Sequence, residues 1–212
     1  MIDFVARARQ WDGDPEFIER GRKIGAAIRA RIPLSKAMRA LDVGCGTGQL
    51  SLPLAGELGH ITCIDTSQGM LKVLEEKVAA RHIGNVTTAL HDLAGAGLGG
   101  RRFDLIMSSM TLHHIKDTGA ILAAFAAHLV PGGWLCIADL DREDGSFHGA
   151  GVDVHHGFDR PALAQAASAS GFEDISFDTV LAIAKAQEGV TREYPVFLLS
   201  ARKSGRGPSP RA

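Results

Sequence analysis

The stretch from Arg39 to Asp65, RALDVGCGTGQLSLPLAGELGHITCID, decides the fold. It opens with a short apolar run around Leu41, which predicts a strand, and continues through glycines at positions 44, 46 and 48. An apolar helical pattern follows from Leu50 to Leu58, and a second strand-like run ends at Asp65. This order of strand, glycine turn, helix and strand is typical of a β–α–β unit.

The glycine turn has the properties of a binding site. Gly44 and Gly46 permit a tight turn and a close approach of the backbone to a ligand, and the following helix would offer unpaired N–H groups. A carboxylate at Asp65, where the second strand ends, is placed to bond a ribose diol. A dinucleotide site needs a third glycine at position 49, which is Gln49, so the spacing disfavours a dinucleotide.

The string Leu-Asp-Val-Gly-Cys-Gly-Thr-Gly, with Asp42 before the turn and Asp65 after the second strand, resembles the first two motifs of class I S-adenosylmethionine-dependent methyltransferases. The resemblance implies an α/β fold with a Rossmann-like, doubly wound sheet of seven strands, the last one antiparallel, and helices on both faces. It also implies S-adenosyl-L-methionine as the cofactor. The loop 44–48 would then lie against the methionine part, and Asp65 would bind both ribose hydroxyls.

The resemblance extends to about residue 140 and implies further cofactor contacts. Thr66 and Met70 would lie near the adenine, and Asp92 would accept a hydrogen bond from the adenine amino group. Three alternatives stay open: Met70 as a core residue, Asp92 as a capping residue in a turn, and Cys45 as a small packed residue. The full implied set is Asp42, Gly44, Cys45, Gly46, Gly48, Asp65, Thr66, Met70, Asp92, Leu93, Ser108 and Ser109.

The end of the fourth predicted strand continues into Leu-His-His-Ile at 112–115, which resembles the small-molecule branch that includes ubiquinone and menaquinone methyltransferases. No Asn-Pro-Pro-Tyr string is present there, which argues against the enzymes that methylate amino groups of adenine or protein glutamine. His113 and His114 are candidate catalytic residues, because a histidine can take a proton from an acceptor hydroxyl near neutral pH. Two adjacent histidines are also common as structural or cofactor-contacting residues.

The chain divides into three predicted parts, in which Asp14, Ser67 and Asp159 are predicted to cap helices and residues 131–133 to form a turn before the fifth strand. Residues 1–38 have a helical pattern and, by the resemblance, form a lid that places Phe4 and Trp11 at the substrate pocket. The alternative is that Trp11 packs this helix on the sheet. Residues 39–202 form the methyltransferase domain, and residues 203–212 are too polar and too rich in glycine and proline to pack, which predicts a disordered tail.

The segment 139–159, after the fifth predicted strand, contains six acids and three histidines. An insertion at this edge of a parallel sheet is where acceptor specificity is usually located, so Asp139 and His148 are assigned to the substrate pocket. The segment is compatible with a cationic acceptor or a metal ion. Its spacings match no defined ligand set, however, so a solvated mobile loop is favoured and no metal is predicted.

Composition restricts the function further. The chain has 212 residues, 45% hydrophobic, and 23 basic against 24 acidic side chains, which predicts one core and neither nucleic-acid binding nor membrane insertion. The absence of a signal-peptide pattern and three unpaired cysteines predict the cytoplasm, and the oligomeric state stays open. The sequence thus favours a methyltransferase that acts by direct displacement on a small-molecule acceptor, through oxygen, nitrogen or carbon. A nucleotide-dependent oxidoreductase and a non-catalytic cofactor-binding protein are the alternatives.

Overall fold

The computed structural model describes residues 4–95, 97–149, 151–187 and 190–205. The strands are β1 (Arg39–Val43), β2 (His60–Asp65), β3 (Val86–Leu90), β4 (Phe103–Ser109), β5 (Leu129–Leu140), β6 (Phe172–Gln187) and β7 (Val190–Lys203). The helices are α1 (Phe4–Gly13), α2 (Pro15–Arg31), α3 (Ser51–Leu54), α4 (Gln68–Ala80), α5 (Thr118–His128) and α6 (Arg160–Ala169), with a 3₁₀ turn at Leu112–His114.

All seven strands form one sheet in the order β3-β2-β1-β4-β5-β7-β6. Neighbours from β3 to β5 run parallel, whereas β7 is antiparallel to both β5 and β6. The predicted doubly wound sheet with an antiparallel last strand is therefore confirmed. The strand order reverses between β1 and β4, and ligands bind such sheets at the carboxyl ends of the strands beside that point.

Helices cover both faces of the sheet, because the side chains of the central strands alternate between two apolar cores. In β1, Ala40 joins the core that contains Ile24 and Ile28 of α2, together with Leu71 of α4. Leu41, the next residue, points into the other core, which is built largely with α5 and α6. The central strands are therefore buried on both faces of the sheet.

Side chains at three helix starts confirm the predicted caps. Asp14 accepts the N–H of Glu16 before Pro15, and Asp159 accepts the N–H of Ala162. Ser67 likewise caps α4, because its hydroxyl accepts the N–H of Met70 at 3.3 Å. Since only Thr66 and Ser67 separate the end of β2 from the start of α4, this cap fixes the chain direction immediately after Asp65.

Two details of the predicted elements were wrong. The helix expected from Leu50 to Leu58 is reduced to the four residues of α3, because Pro53 lacks an N–H and the glycines at 56 and 59 are poor helix formers. The turn expected at 131–133 lies inside β5 as a bulge. Pairing with β4 jumps there from Phe103↔Leu129 to Leu105↔Trp134, and Gly132 accommodates the kink with a φ of +73°.

The N-terminal helices pack against the domain, and the last strand extends to the start of the predicted tail. Ala8 of α1 packs on Met70 and Val73 of α4. Lys203, expected to start the tail, is the last residue of β7, and residues 206–212 lie outside the described part of the chain. Among the described residues, no helix combines the length and apolarity that crossing a bilayer requires.

Candidate active site

The glycine turn is held in a left-handed backbone conformation at three positions. Gly44, Gly46 and Gly48 have φ values of +67°, +53° and +79°, which favour glycine over any residue with a Cβ. The turn is anchored to the end of β2, because the N–H groups of Gly44 and Cys45 both donate to the carbonyl of Ile64, at 2.9 and 3.0 Å. Asp65 directly follows Ile64, so these two hydrogen bonds fix the position of the turn relative to Asp65.

The three glycines face different surroundings. A Cβ at Gly44 would lie 2.2 Å from the side chain of Thr111, and one at Gly48 would lie 2.4 Å from that of Leu74. A Cβ at Gly46 would have no atom within 4 Å. Gly44 and Gly48 are thus needed for packing, whereas Gly46 leaves open space above the turn where a ligand can approach the backbone.

Asp65 bridges the turn and the start of α4. Its Oδ2 accepts the N–H of Gly46 and its Oδ1 accepts the N–H of Ser67, each at 2.8 Å. Burial raises the pKa of the Asp65 carboxyl, and these backbone hydrogen bonds oppose that rise. An ionised carboxylate has about four lone-pair positions, so two acceptor positions remain for the hydroxyls of a ribose.

These features fit S-adenosylmethionine, the cofactor that the sequence resemblance implies. The fit rests on the open space at Gly46 and on the remaining acceptor capacity of Asp65, its neighbour in the site. The unpaired N–H groups expected at the start of the helix after the turn stay a prediction. The N–H of Gly48 donates to Cys45 and that of Leu52 donates to Gly48, so the turn satisfies part of its own backbone.

Asp42 and Cys45, both predicted to bind the cofactor, are buried. The Oδ2 of Asp42 accepts the hydroxyl proton of Ser51, and the thiol of Cys63 donates to that hydroxyl oxygen at 3.2 Å. Burial raises the pKa of Asp42 to about 7. The pKa of the Cys45 thiol is raised by its interaction with Cys63 and by burial, so Cys45 stays a protonated, small packed residue at neutral pH.

Met70 and Thr66 flank the start of α4. Met70 is buried beneath α1 in contact with Ala8 and Val73, and Trp11 of α1 packs on the edge of this group. Thr66 is exposed next to Asp65. The predicted adenine contacts of both residues stay predictions, and the packing of Met70 agrees with its open alternative as a core residue.

Asp92 and Leu93 follow the end of β3. Asp92 is exposed and its Oδ1 accepts the N–H of Ala94 at 2.9 Å, which is the turn-capping arrangement left open as its alternative. Leu93 is buried in the core that α5 and α6 cover. The predicted role of Asp92 at the adenine amino group stays a prediction.

The end of β4 packs directly on the glycine turn. The hydroxyl of Ser108 is buried and donates to the carbonyl of Val43 at 2.9 Å, whereas Ser109 is half-buried. Met110 has a φ of +54°, a strained value for a residue with a side chain. This bend brings the Thr111 hydroxyl within 3.1 Å of the carbonyl of Gly44. Sequence reasoning missed Thr111, because its partner Gly44 lies in a turn 67 residues earlier in the chain.

A second set of missed residues ties α1 to the turn. Asp12 accepts hydrogen bonds from Gln49, at 2.9 Å, and from the ammonium of Lys77. Lys77 also donates to the carbonyl of Thr47 at 2.7 Å. Gln49, noted only as a departure from the dinucleotide spacing, thus holds the N-terminal helix over the turn. The side chain of Phe4, the other predicted lid residue, lies outside the described residues.

Four of the predicted catalytic and pocket residues come together beyond Thr111. The Nδ1 of His113 lies 2.7 Å from the Oδ1 of Asp139, and both side chains are buried. The rings of His114 and His148 lie 4.2 and 4.8 Å from the His113 ring. Burial lowers the pKa of His114 and of His148 to about 4, and the charge of His113 acts in the same direction, so these two imidazoles are neutral at neutral pH.

The acids of the segment 139–159 do not form a cation site, because each has a partner. Asp141 pairs with Arg160 at 2.6 Å and Asp153 pairs with Lys116. The others bond as follows: Asp139 to His113, Glu143 to the N–H of Phe147, Asp144 to Ser146 and Arg192, and Asp159 to the N–H of Ala162. These contacts attach the segment, which was predicted to be solvated and mobile, to α6 and β7.

The comparison with known proteins agrees with this geometry. A family model described as a methyltransferase domain matches residues 40–133, from β1 into the bulge of β5. This part of the chain is similar to a methyltransferase domain. Its glycine turn, the strand end at Asp65 and the histidine pair all lie inside the matched region, whereas His148 and Asp139 lie beyond it.

Two proteins that are similar to this chain are named as methyltransferases. An uncharacterised methyltransferase of Schizosaccharomyces pombe is 31% identical over 169 residues, which cover 72% of this chain and 58% of the relative. A ubiquinone biosynthesis O-methyltransferase of Xylella fastidiosa is 37% identical over 122 residues, which cover 57% of this chain and 48% of the relative. The chain therefore spans about half the length of these relatives.

The fold is shared with a solved methyltransferase. The phosphoethanolamine N-methyltransferase 2 of Haemonchus contortus, solved in complex with S-adenosyl-L-methionine, superposes with a TM-score of 0.72. The alignment covers 96% of this chain and 60% of that protein at 19% identity, a level that establishes the common fold alone.

Proposed function

We propose that this protein binds S-adenosyl-L-methionine and transfers its methyl group to a small-molecule acceptor. The observation that carries the proposal is the pairing of the open turn at Gly46 with the carboxylate of Asp65. When bound, S-adenosylmethionine supplies a methyl group on a positively charged sulfur, which a nucleophile takes by direct displacement. Such a displacement needs no covalent bond to the protein, so the site has to position the reactants and exclude water.

The residues of the chain divide between the two reactants. Asp65 and the backbone at Gly46 would hold the cofactor, with Thr66, Met70 and Asp92 at its adenosine end. Asp12, Gln49 and Lys77 support the proposal that the helices of residues 1–38 act as a lid, because they fasten α1 to the turn. Trp11, in the same helix, would close the space above the turn.

The acceptor would lie against the cluster of His113, His114 and His148. We propose a hydroxyl acceptor of the phenol class as the first to test, since the relative in Xylella fastidiosa is named a ubiquinone biosynthesis O-methyltransferase. A neutral imidazole in the cluster could take the proton of such a hydroxyl, which is the role predicted for His113 and His114. We place the reaction in the cytoplasm and with no nucleic-acid partner, as supported by the near-balanced charge and by three free, buried cysteines.

Two measurements test the proposal. Calorimetric titration with S-adenosylmethionine should show saturable binding, and titration with NAD should show none. Incubation with a panel of phenols, amines and thiols should then release S-adenosylhomocysteine with at least one acceptor class. Binding without turnover on any acceptor would favour a non-catalytic cofactor-binding protein, and binding of NAD in place of S-adenosylmethionine would overturn the assignment.

A further inference from the structure

Three histidines from two segments that are distant in sequence converge beyond the glycine turn. His113 and His114 are in the 3₁₀ turn after β4, and His148 is in the segment after β5. One ring nitrogen from each lies within 4.8 Å of one from each of the others. Their ring centroids are 4.2, 4.8 and 5.4 Å apart. A cluster of this kind offers three nitrogen donors that face a common point.

One nitrogen in the cluster is unsatisfied among the described residues. The Nε2 of His148 is buried and has no hydrogen-bond partner there. Leaving a buried polar atom unpaired costs roughly 1–3 kcal/mol, so native structures seldom retain one without an unseen partner. The ring of His148 also packs against that of Phe147, whose centroid lies 4.8 Å away in an edge-on contact. The unpaired atom therefore points to a ligand that the cluster itself would bind.

Asp139 sets the orientation of His113. Its Oδ1 lies 2.7 Å from the Nδ1 of His113 and also accepts the N–H of Leu140 at 2.8 Å, while its Oδ2 accepts the N–H of His113 at 3.2 Å. An ionised carboxylate only accepts hydrogen bonds, so Nδ1 is the nitrogen that donates to Asp139 and Nε2 is the nitrogen left for a ligand. Metal-binding histidines almost always donate their second nitrogen to a carboxylate or carbonyl in this way.

We propose that His113, His114 and His148 form a binding site for a divalent transition-metal ion of the zinc type. Three imidazoles and no carboxylate suit zinc, nickel, copper or cobalt and do not suit magnesium or calcium, which require oxygen ligands. Tetrahedral ligands about 2.0–2.1 Å from zinc lie about 3.3 Å from one another, so the nitrogens must move closer by ~1.5 Å at most. His148 belongs to a loop, where such a shift distorts no helix or strand.

The fourth position of this site would face the acceptor, a consequence that rests on the proposed function. Three protein ligands leave one place free on a catalytic zinc. An acceptor hydroxyl or thiol bound there would lose its proton more readily, and with the metal in place this effect would replace direct proton transfer to one of the three histidines. Lys185, whose ammonium donates to the carbonyl of Phe147 at 2.7 Å, also acts electrostatically on His148. The positive charge of Lys185 would repel a metal ion bound only by the three neutral histidines. It would favour a metal ion whose fourth ligand is an anion.

The test uses tag-free, full-length protein freed of metal by a chelator and titrated with zinc chloride. We expect saturable binding of one ion per chain, and tetrahedral cobalt absorption when cobalt chloride replaces zinc. His148→Ala should weaken zinc binding by about tenfold or more, and Asp139→Asn by about 10- to 100-fold with the stoichiometry unchanged. His156→Ala should have no effect, because this exposed histidine of the same segment lies outside the cluster.

Two results would overturn the site: no saturable zinc binding by the wild-type protein, or equal binding by the His148→Ala variant. Circular dichroism of each variant identifies variants that fail to fold. If Asp139→Asn fails to fold, His114→Ala takes its place in the test. A parallel titration with S-adenosylmethionine keeps the two proposals separate. Protein that binds S-adenosylmethionine but not zinc disproves the metal site alone, and protein that binds zinc but not S-adenosylmethionine disproves the proposed function alone.

Discussion

The carboxylate of Asp65 accepts the backbone N–H of Gly46 at 2.8 Å and so joins the end of β2 to the turn that follows β1. The same carboxylate accepts the N–H of Ser67, which fixes the start of α4. One side chain therefore sets the relative position of the turn, the strand end and the helix. Any ligand that lies over Gly46 is brought next to this carboxylate.

Asp65→Ala should weaken S-adenosylmethionine binding by at least about tenfold, because hydrogen bonds to a charged group contribute roughly 1.5–3 kcal/mol each. Calorimetric titration measures the change. Asp104→Ala is the matched control, since the Oδ2 of Asp104 also accepts a backbone N–H, that of Arg39, but at the opposite end of the sheet. Equal loss of affinity in both variants would show that the effect is structural.

Gly46→Ala should abolish or strongly reduce cofactor binding while the fold persists. The new methyl group would occupy the open space above the turn, and the strain at a φ of +53° should cost about 1–2 kcal/mol of unfolding free energy. Gly99→Ala provides the control, because Gly99 has a φ of +63° and equally open surroundings far from the turn.

The two glycine variants should lose similar stability in urea unfolding, and only Gly46→Ala should lose affinity for S-adenosylmethionine. If Gly46→Ala bound the cofactor as tightly as Gly99→Ala, the ligand would not approach the turn at this point.

Asp12→Ala should loosen α1 and reduce cofactor affinity, because Asp12 accepts hydrogen bonds from both Gln49 and Lys77. Limited proteolysis should cut the variant within residues 4–13 faster than the wild type, and calorimetry should show weaker binding. Glu76→Ala is the control: Glu76 joins the same two helices through an ion pair with Arg9, whose side chain is 74% exposed. Exposed pairs of this kind contribute about 0–1 kcal/mol, so this variant should behave like the wild type.

The stability of the protein should depend on pH through Asp42. Burial raises the pKa of Asp42 to about 7 in the folded state, so between pH 5 and 7 the folded protein holds a proton that the unfolded chain releases. Stability from this group is therefore greatest at low pH and is lost as the pH rises through 7. Between pH 5 and 8 the unfolding free energy of the wild type should fall by roughly 2–3 kcal/mol more than that of Asp42→Asn.

Urea unfolding at the two pH values measures this difference. Ser51→Ala should steepen the wild-type dependence, because the Ser51 hydroxyl bonds the carboxyl of Asp42 and lowers its pKa. An identical pH dependence in wild type and Asp42→Asn would show that Asp42 is not protonated in the folded protein near pH 6.

Among the described residues, structural features that depend on interactions between near neighbours in the sequence could be predicted. Asp14, Ser67 and Asp159 cap their helices as expected, since a cap involves residues only two or three positions apart. Features in which local preferences compete with contacts to distant parts of the chain could not be predicted. The helix expected to extend to Leu58 ends at Leu54, and the turn expected at 131–133 is absorbed into β5, because pairing with β4 decided its conformation.

The sequence alone determined the glycine turn, the acid that ends the second strand and the α/β sheet that holds them, because each depends on glycine spacing and on an apolar pattern within a short segment. Only the tertiary structure decided that Gln49 and Lys77 converge on Asp12. The same holds for His148, which joins His113 and His114 although it belongs to a different loop. Residues far apart in the chain come into contact only when the sheet brings the ends of their strands together. Local sequence spacing does not predict such contacts.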